Sequence, residues 1–160
     1  MIISWLLLLS SIVHGGPPPS SAAPAVLLHA EALQRPWQLE GVGLGDTGAQ
    51  VESMWGKPSS VASDEWQQDC ETWSYKTGKN VGLCGGQVSF VQVTAAARKA
   101  NLDGKEVAMA GTELRQALGK PEFEAEDGWG VVKGAEALKV FVDERGRLVS
   151  LDLFHDPCNV

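Results

Sequence analysis

The sequence is most limited in chemically reactive side chains. It has three histidines and three cysteines in 160 residues, and no Gly-x-Ser-x-Gly element, phosphate-binding loop or dinucleotide fingerprint. Zinc needs three or four convergent ligands. The one local cluster, His155-Asp156-Pro157-Cys158 with Asp152 before it, reads as a tail, so neither metal nor cofactor is expected. Cys70 and Cys84 have no histidine near them in sequence, which argues against a cysteine nucleophile and its base. The chain is not expected to be an enzyme. Basic residues are also scarce, 13 against 20 acidic, for a net charge of −7. Such a surface repels phosphate backbones and excludes nucleic acid as a partner. No apolar run is long enough to span a bilayer as a helix, which takes about 20 residues.

The N-terminus does hold a shorter apolar run. Met1 to Val13 has the length of an export-signal core, with small residues after it at Gly15-Gly16 and Ser20 to Ala23. Residues 1–22 are therefore expected to be a signal peptide or short anchor, although no Lys or Arg precedes Arg35. That segment gives the chain a route to the membrane. Residues 23–40, following a Pro/Ser/Gly stretch, are expected to be a linker. Export makes cysteine pairing the expected state. Cys70 and Cys84 flank a hairpin turning at Thr77-Gly78-Lys79-Asn80 and form the favoured pair. Cys158 is left free, bonded to another chain, or in place of one of the two.

The rest of the sequence nearly repeats itself. Val42-Gly43-Leu44-Gly45 leads through Val51 to Gly56-Lys57-Pro58, and Val107-Ala108-Met109-Ala110 leads through Leu114 to Gly119-Lys120-Pro121. An internal repeat bears directly on fold. Each copy begins with a short strand or turn and then a helix, capped by Asp46 or Thr47 in the first and by Thr112 in the second, and stopped by glycine and proline. Strands are expected at 72–76, 80–84 and 87–94, then at 128–133, 137–143 and 147–154. The fold class is thus α+β: two tandem helix-plus-three-strand repeats, 41–96 and 102–155, forming an antiparallel sheet packed on helices, with a connector at 95–101 and a tail at 156–160. Alternation puts Val149, Leu151 and Leu153 on one face with Ser89, Val91 and Val93. Phe90, Gln92, Lys139, Phe141, Ser150 and Asp152 fall on the other, mixed face.

The aliphatic-Gly opening, the Gly-x-Pro helix stop, Trp73-Ser74-Tyr75 and the glycine-turn hairpin ending in Val88 to Val93 resemble the small bacterial envelope modules of the SmpA/OmlA type. The duplicated form resembles the two-module β-lactamase inhibitor protein. The resemblance implies an envelope scaffold or an inhibitor. A lipobox cysteine and a disulfide in the second half are both absent. The expected function is an exported, periplasmic or extracellular, non-catalytic module binding a protein partner through the mixed face. Phe90 and Phe141 would anchor, while Gln92, Lys139, Ser150 and Asp152 would orient. Trp66, in a polar loop, is either a contact residue or a lid over the helix–sheet seam. The alternatives are an inhibitor of a secreted or periplasmic enzyme, and a small-ligand binder or hydrolase with an unrecognised site. The acidic run Glu122, Glu124, Glu126 and Asp127 reads as a solvated edge or loop rather than a calcium site.

Overall fold

The computed structural model describes residues 36–156. The expectations for the signal segment, for most of the linker and for Cys158 lie outside these residues. Among the described residues, ten strands and two α-helices occur in the order α1 (Gly48–Trp55), β1 (Ser60–Ser63), β2 (Cys70–Tyr75), β3 (Lys79–Cys84), β4 (Gln87–Thr94), β5 (Lys99–Leu102), β6 (Lys105–Ala108), α2 (Gly111–Leu118), β7 (Phe123–Ala125), β8 (Gly128–Lys133), β9 (Glu136–Val142) and β10 (Leu148–His155). Eight strands form one antiparallel sheet in the order β1-β2-β3-β4-β10-β9-β8-β7, and β5 and β6 form a separate ribbon.

This corrects the expected fold class. The molecule is a mainly-β protein built on one eight-stranded sheet, not two tandem helix-plus-three-strand repeats. Each helix is only eight residues long. Four further short strands occur: β1, β5 and β7 where loops or connectors were expected, and β6 where a short strand or turn was expected. Their sequences explain why they gave little signal. β1 is Ser-Val-Ala-Ser with every residue exposed. β7 has three residues. The connector makes a single 3-10 turn at Ala95–Ala97 and then enters β5. A short or fully exposed strand lacks the apolar–polar alternation that marks a half-buried one.

One core lies on one face of the sheet. Val81, Leu83, Val88, Val91 and Val93 from the first half join Val131, Leu138, Val140, Leu151 and Leu153 from the second. They pack with Val51 of α1, Leu114 of α2, Ala100 and Val107 of the ribbon, and Trp37, Leu39 and Val42 of the entering chain. Two bulges set which residues take part. The register slips between Gly82 and Leu83 opposite β4, and between Leu148 and Ser150 opposite β9. An extra residue reverses the facing of what precedes it. Val88 is therefore buried instead of Ser89, and Leu148 packs on the core while Val149 is exposed. Simple alternation had placed both pairs the other way round.

The helix starts also differ. Thr47 caps α1 with a full capping box, its hydroxyl oxygen accepting from the Gln50 amide while the Gln50 side chain accepts from the Thr47 amide. In α2 the cap position is Ala110, which offers no side-chain acceptor, and the expected cap Thr112 lies inside the helix.

Candidate functional site

The sheet face opposite the core is organised by register. Five residues pair in sequence across the strands: Ser74 with Asn80, Asn80 with Gln92, Gln92 with Asp152, and Asp152 with Lys139. Lys139 in turn faces Gly130, and Gly130 faces Phe123. Cross-strand neighbours stand close enough for side chains to meet, and the middle of the row, Asn80–Gln92–Asp152, is hydrogen-bonded side chain to side chain. The Asn80 Nδ2 donates to Gln92 Oε1 at 2.7 Å, and Gln92 Nε2 donates to Asp152 Oδ2 at 2.9 Å. The Lys139 ammonium lies 2.7 Å from Asp127 Oδ1 and 4.1 Å from the centre of the Phe141 ring.

Asp152 is the electrostatic focus of the row. Its Oδ1 is buried with no hydrogen-bond partner. Burial pushes its carboxyl above the ordinary value of 3.8, opposed by Ser150, Gln92 and the Lys139 charge. An uncompensated buried oxygen is costly, and the proton-bound form relieves that cost. Ser150, two residues earlier on the same strand, is almost fully buried.

Aromatic rings border the row. Phe90 pairs across β3 with Gly82, and its ring lies over the glycine: a Cβ at position 82 would stand 2.1 Å from the ring. Phe123 covers Gly130 in the same way, at 2.2 Å. Bare glycine backbone on a sheet is thus sealed by a neighbouring ring in both halves. Phe154 sits beside Phe90 on β10.

The seven proposed binding residues separate as follows. Gln92, Lys139 and Asp152 meet in the row. Phe90 and Phe141 flank it, half-buried. Ser150 is placed beneath the surface, so its reach is to Asp152. Trp66 is elsewhere: it stands 92% exposed in the β1–β2 loop, where its backbone amide donates to Asp64 Oδ1. It is not a lid. Sequence reasoning did not count Asn80, read as the end of a turn and the start of a strand, among the binding residues, nor Asp127, whose link to Lys139 spans twelve residues. Asp127 lies in the turn between β7 and β8 and Lys139 on β9, so no local pattern linked the two.

The cysteine expectation agrees with the structure. Cys70 and Cys84 are direct cross-strand partners and are bonded. Their bridge lies at the end of the same face, beside a recess of about 300 Å³ lined by Thr72, Gly82, Ser89 and Phe90 among others. That volume is at the lower bound for small-molecule sites. A larger open hollow, about 660 Å³, is lined by Glu126, Asp127, Asp143, Glu144, Arg145 and Arg147. Within it Arg147 pairs with Asp143 at 2.7 Å, and Asp127 pairs with Lys139 outside it. Among the described residues no group of three or more His, Cys, Asp or Glu is placed to hold a metal ion, and no helix is long and apolar enough to cross a membrane.

No family model matches the chain, and no curated protein matches it. Solved structures do. An extracellular protein containing an SCP domain from Bacillus anthracis superposes with a TM-score of 0.51 at 12% identity, over 92% of this chain and 50% of that one. The chain therefore spans half the length of that structure, and the likeness is one of fold. Weaker superpositions, each with a TM-score of 0.44, are to a cysteine-rich secretory protein from Staphylococcus aureus (13% identity, 72% of this chain, 44% of that one) and a DUF4309 family protein from Bacillus subtilis (12% identity, 69% and 79%). None of the three is an SmpA/OmlA-type module or a two-module inhibitor, so what the comparisons support is a small β-rich fold.

Proposed function

We propose that this chain is an exported, non-catalytic binding module that holds a protein partner against the open face of its sheet. The observation that carries the reading is the row Asn80–Gln92–Asp152–Lys139, bordered by Phe90 and Phe141. It crosses the β4–β10 seam, so a partner lying across the strands would touch both halves at once. Fixed polar groups beside half-buried rings suit protein recognition, in which apolar anchors supply affinity and oriented polar groups supply specificity. Support for export comes from the apolar run Met1 to Val13 and from the Cys70–Cys84 bridge, since disulfides persist in oxidising compartments.

The test is capture from native envelope and secreted fractions by the full chain and by two variants, Phe90→Ala/Phe141→Ala and Gln92→Glu. The second leaves the rings in place and sets a like charge beside Asp152. A partner held by the parent chain and lost by both folded variants supports the reading, and its identity separates an envelope scaffold from an enzyme inhibitor. The same proteins captured by all three, with unchanged circular dichroism, would sink it.

A further inference from the structure

The two edges of the sheet are treated very differently. At one edge, β7 is three residues long and is set among Glu122, Glu124, Glu126 and Asp127. Clustered charge on a short strand blocks pairing with another chain. At the other edge, β1 carries no charge and no proline, no other described strand pairs with its outer side, and all four of its residues are exposed among the described residues. The Asp64 amide donates to the Cys70 carbonyl, and the Ser59 amide to that of Ser74. Antiparallel ladders alternate which residues point inward. The pairing of Asp64 with Cys70 therefore turns the N–H and C=O of Val61 and Ser63 away from β2, toward open space.

We propose that β1 is a dimerisation edge, and that its occupant is β1 of a second copy of this chain. The strand is self-complementary about Ala62. In an antiparallel pairing on a two-fold axis, Val61 faces Ser63 of the second copy and Ser63 faces its Val61. All four outward donors and acceptors of each strand are then satisfied. Ala62 meets Ala62 of the second copy on the axis, as a closely spaced pair without hydrogen bonds between its members. The charges agree with this arrangement. Residues 60–71 hold Asp64, Glu65, Asp69 and Glu71 and no base, whereas Lys57 lies just before the strand. Antiparallel pairing carries Lys57 of each copy toward the end where the other has Asp64 and Glu65, and keeps the two acidic ends apart. A parallel pairing would bring the acids together. Because β7 is blocked, the assembly closes as a symmetric pair rather than growing into a fibre. The axis runs perpendicular to the sheet, so the helical layers of both copies stay on one side and both polar rows face the other.

The experiment uses the full chain with Cys158→Ser. Ala62→Cys is compared under mild oxidation with Ala125→Cys on β7. The expected result is rapid formation of a covalent dimer, and nothing larger, through position 62 alone. Sedimentation at roughly 5 to 500 µM then reads the reversible equilibrium. Val61→Pro removes an outward donor that the internal ladder does not use. It should weaken the dimer about ten-fold, through two lost hydrogen bonds per pair. Added salt should weaken it further. Cross-linking no faster at 62 than at 125, open-ended oligomers, or a dimer indifferent to Val61→Pro would each overturn the proposal. Should Val61→Pro fail to fold, the cross-linking comparison still decides.

Discussion

The half of the sheet made by β1–β4 and the half made by β7–β10 share an arrangement of strands and one core but are held by different forces. The first half has the Cys70–Cys84 bridge, the Thr47 capping box and Tyr75 packed edge-on to Trp55 at 5.2 Å. Among the described residues, the second half has no bridge, and α2 has no side-chain cap. Surface charge is denser there: Lys139 with Asp127, Arg147 with Asp143, and Arg115 over Trp129 at 4.5 Å. Covalent and neutral contacts are indifferent to salt and mild acid, whereas exposed ion pairs are not. One continuous sheet can thus carry two different sensitivities, one at each side of its central seam.

The largest effect expected from breaking this comparison is in the core that both halves share. Leu114→Ala empties a fully buried position in α2 and should cost about 3 kcal/mol. Val51→Ala at the corresponding place in α1 removes less volume and should cost about 2 kcal/mol. Equal losses in urea unfolding would mean that the halves do not share the core evenly. Next comes the bridge. Replacing Cys70 and Cys84 with serine, or adding reductant, should remove about 3 kcal/mol, the loop-closure value for a sequence separation of 14. If the transition stays single, the seam couples the halves; if it splits, the first half melts by itself.

The cap comparison is smaller and runs in both directions. Thr47→Ala should destabilise by about 1 kcal/mol, and Ala110→Ser should stabilise by a similar amount by giving α2 the acceptor it lacks. Thermal melts of both variants check this. The gentlest test is pH. The Asp127 and Asp143 carboxyls are held below the ordinary carboxylate value, first by hydrogen bonds from Lys139 and Arg147 respectively. Their contribution is present above that value and is lost as pH falls through their folded-state values. The raised Asp152 has the opposite sign: its ionised form is disfavoured in the folded state, so it costs stability once pH exceeds 3.8. Asp152→Asn should therefore stabilise the protein at pH 7, and the gain should vanish below pH 3.8. A gain that persists in acid would locate its cause in packing instead.

Six of the strands and both helices could be read from the sequence because each alternates or repeats at its own period and is bounded by glycine or proline. The short strands β1, β5 and β7 could not. Ser60–Ser63 has no buried side to generate a pattern, and Phe123–Ala125 is too brief to show one. The mixed face was legible as a list, since Gln92, Lys139 and Asp152 fall on the same face of their strands. That they stand side by side in one row was not, because it depends on β4 lying beside β10, and no local pattern encodes which strands become neighbours across 60 residues. The bulge opposite Ser150 was equally invisible. One extra residue changes which of Leu148 and Val149 is buried without altering composition or periodicity at either end.

The first and last described segments are tied to the same spot. The Trp37 amide donates to Glu136 at 2.7 Å, Lys133 lies over the Trp37 ring, and the Asp156 amide donates to the Ala135 carbonyl. Entry and exit therefore sit side by side on the β8–β9 turn. Such a body is suited to circular permutation: a short link between residues 36 and 156, with a new opening in the exposed turn at 143–146, should leave every strand pairing in place. It could equally be spliced into a loop of another protein without prying that loop apart.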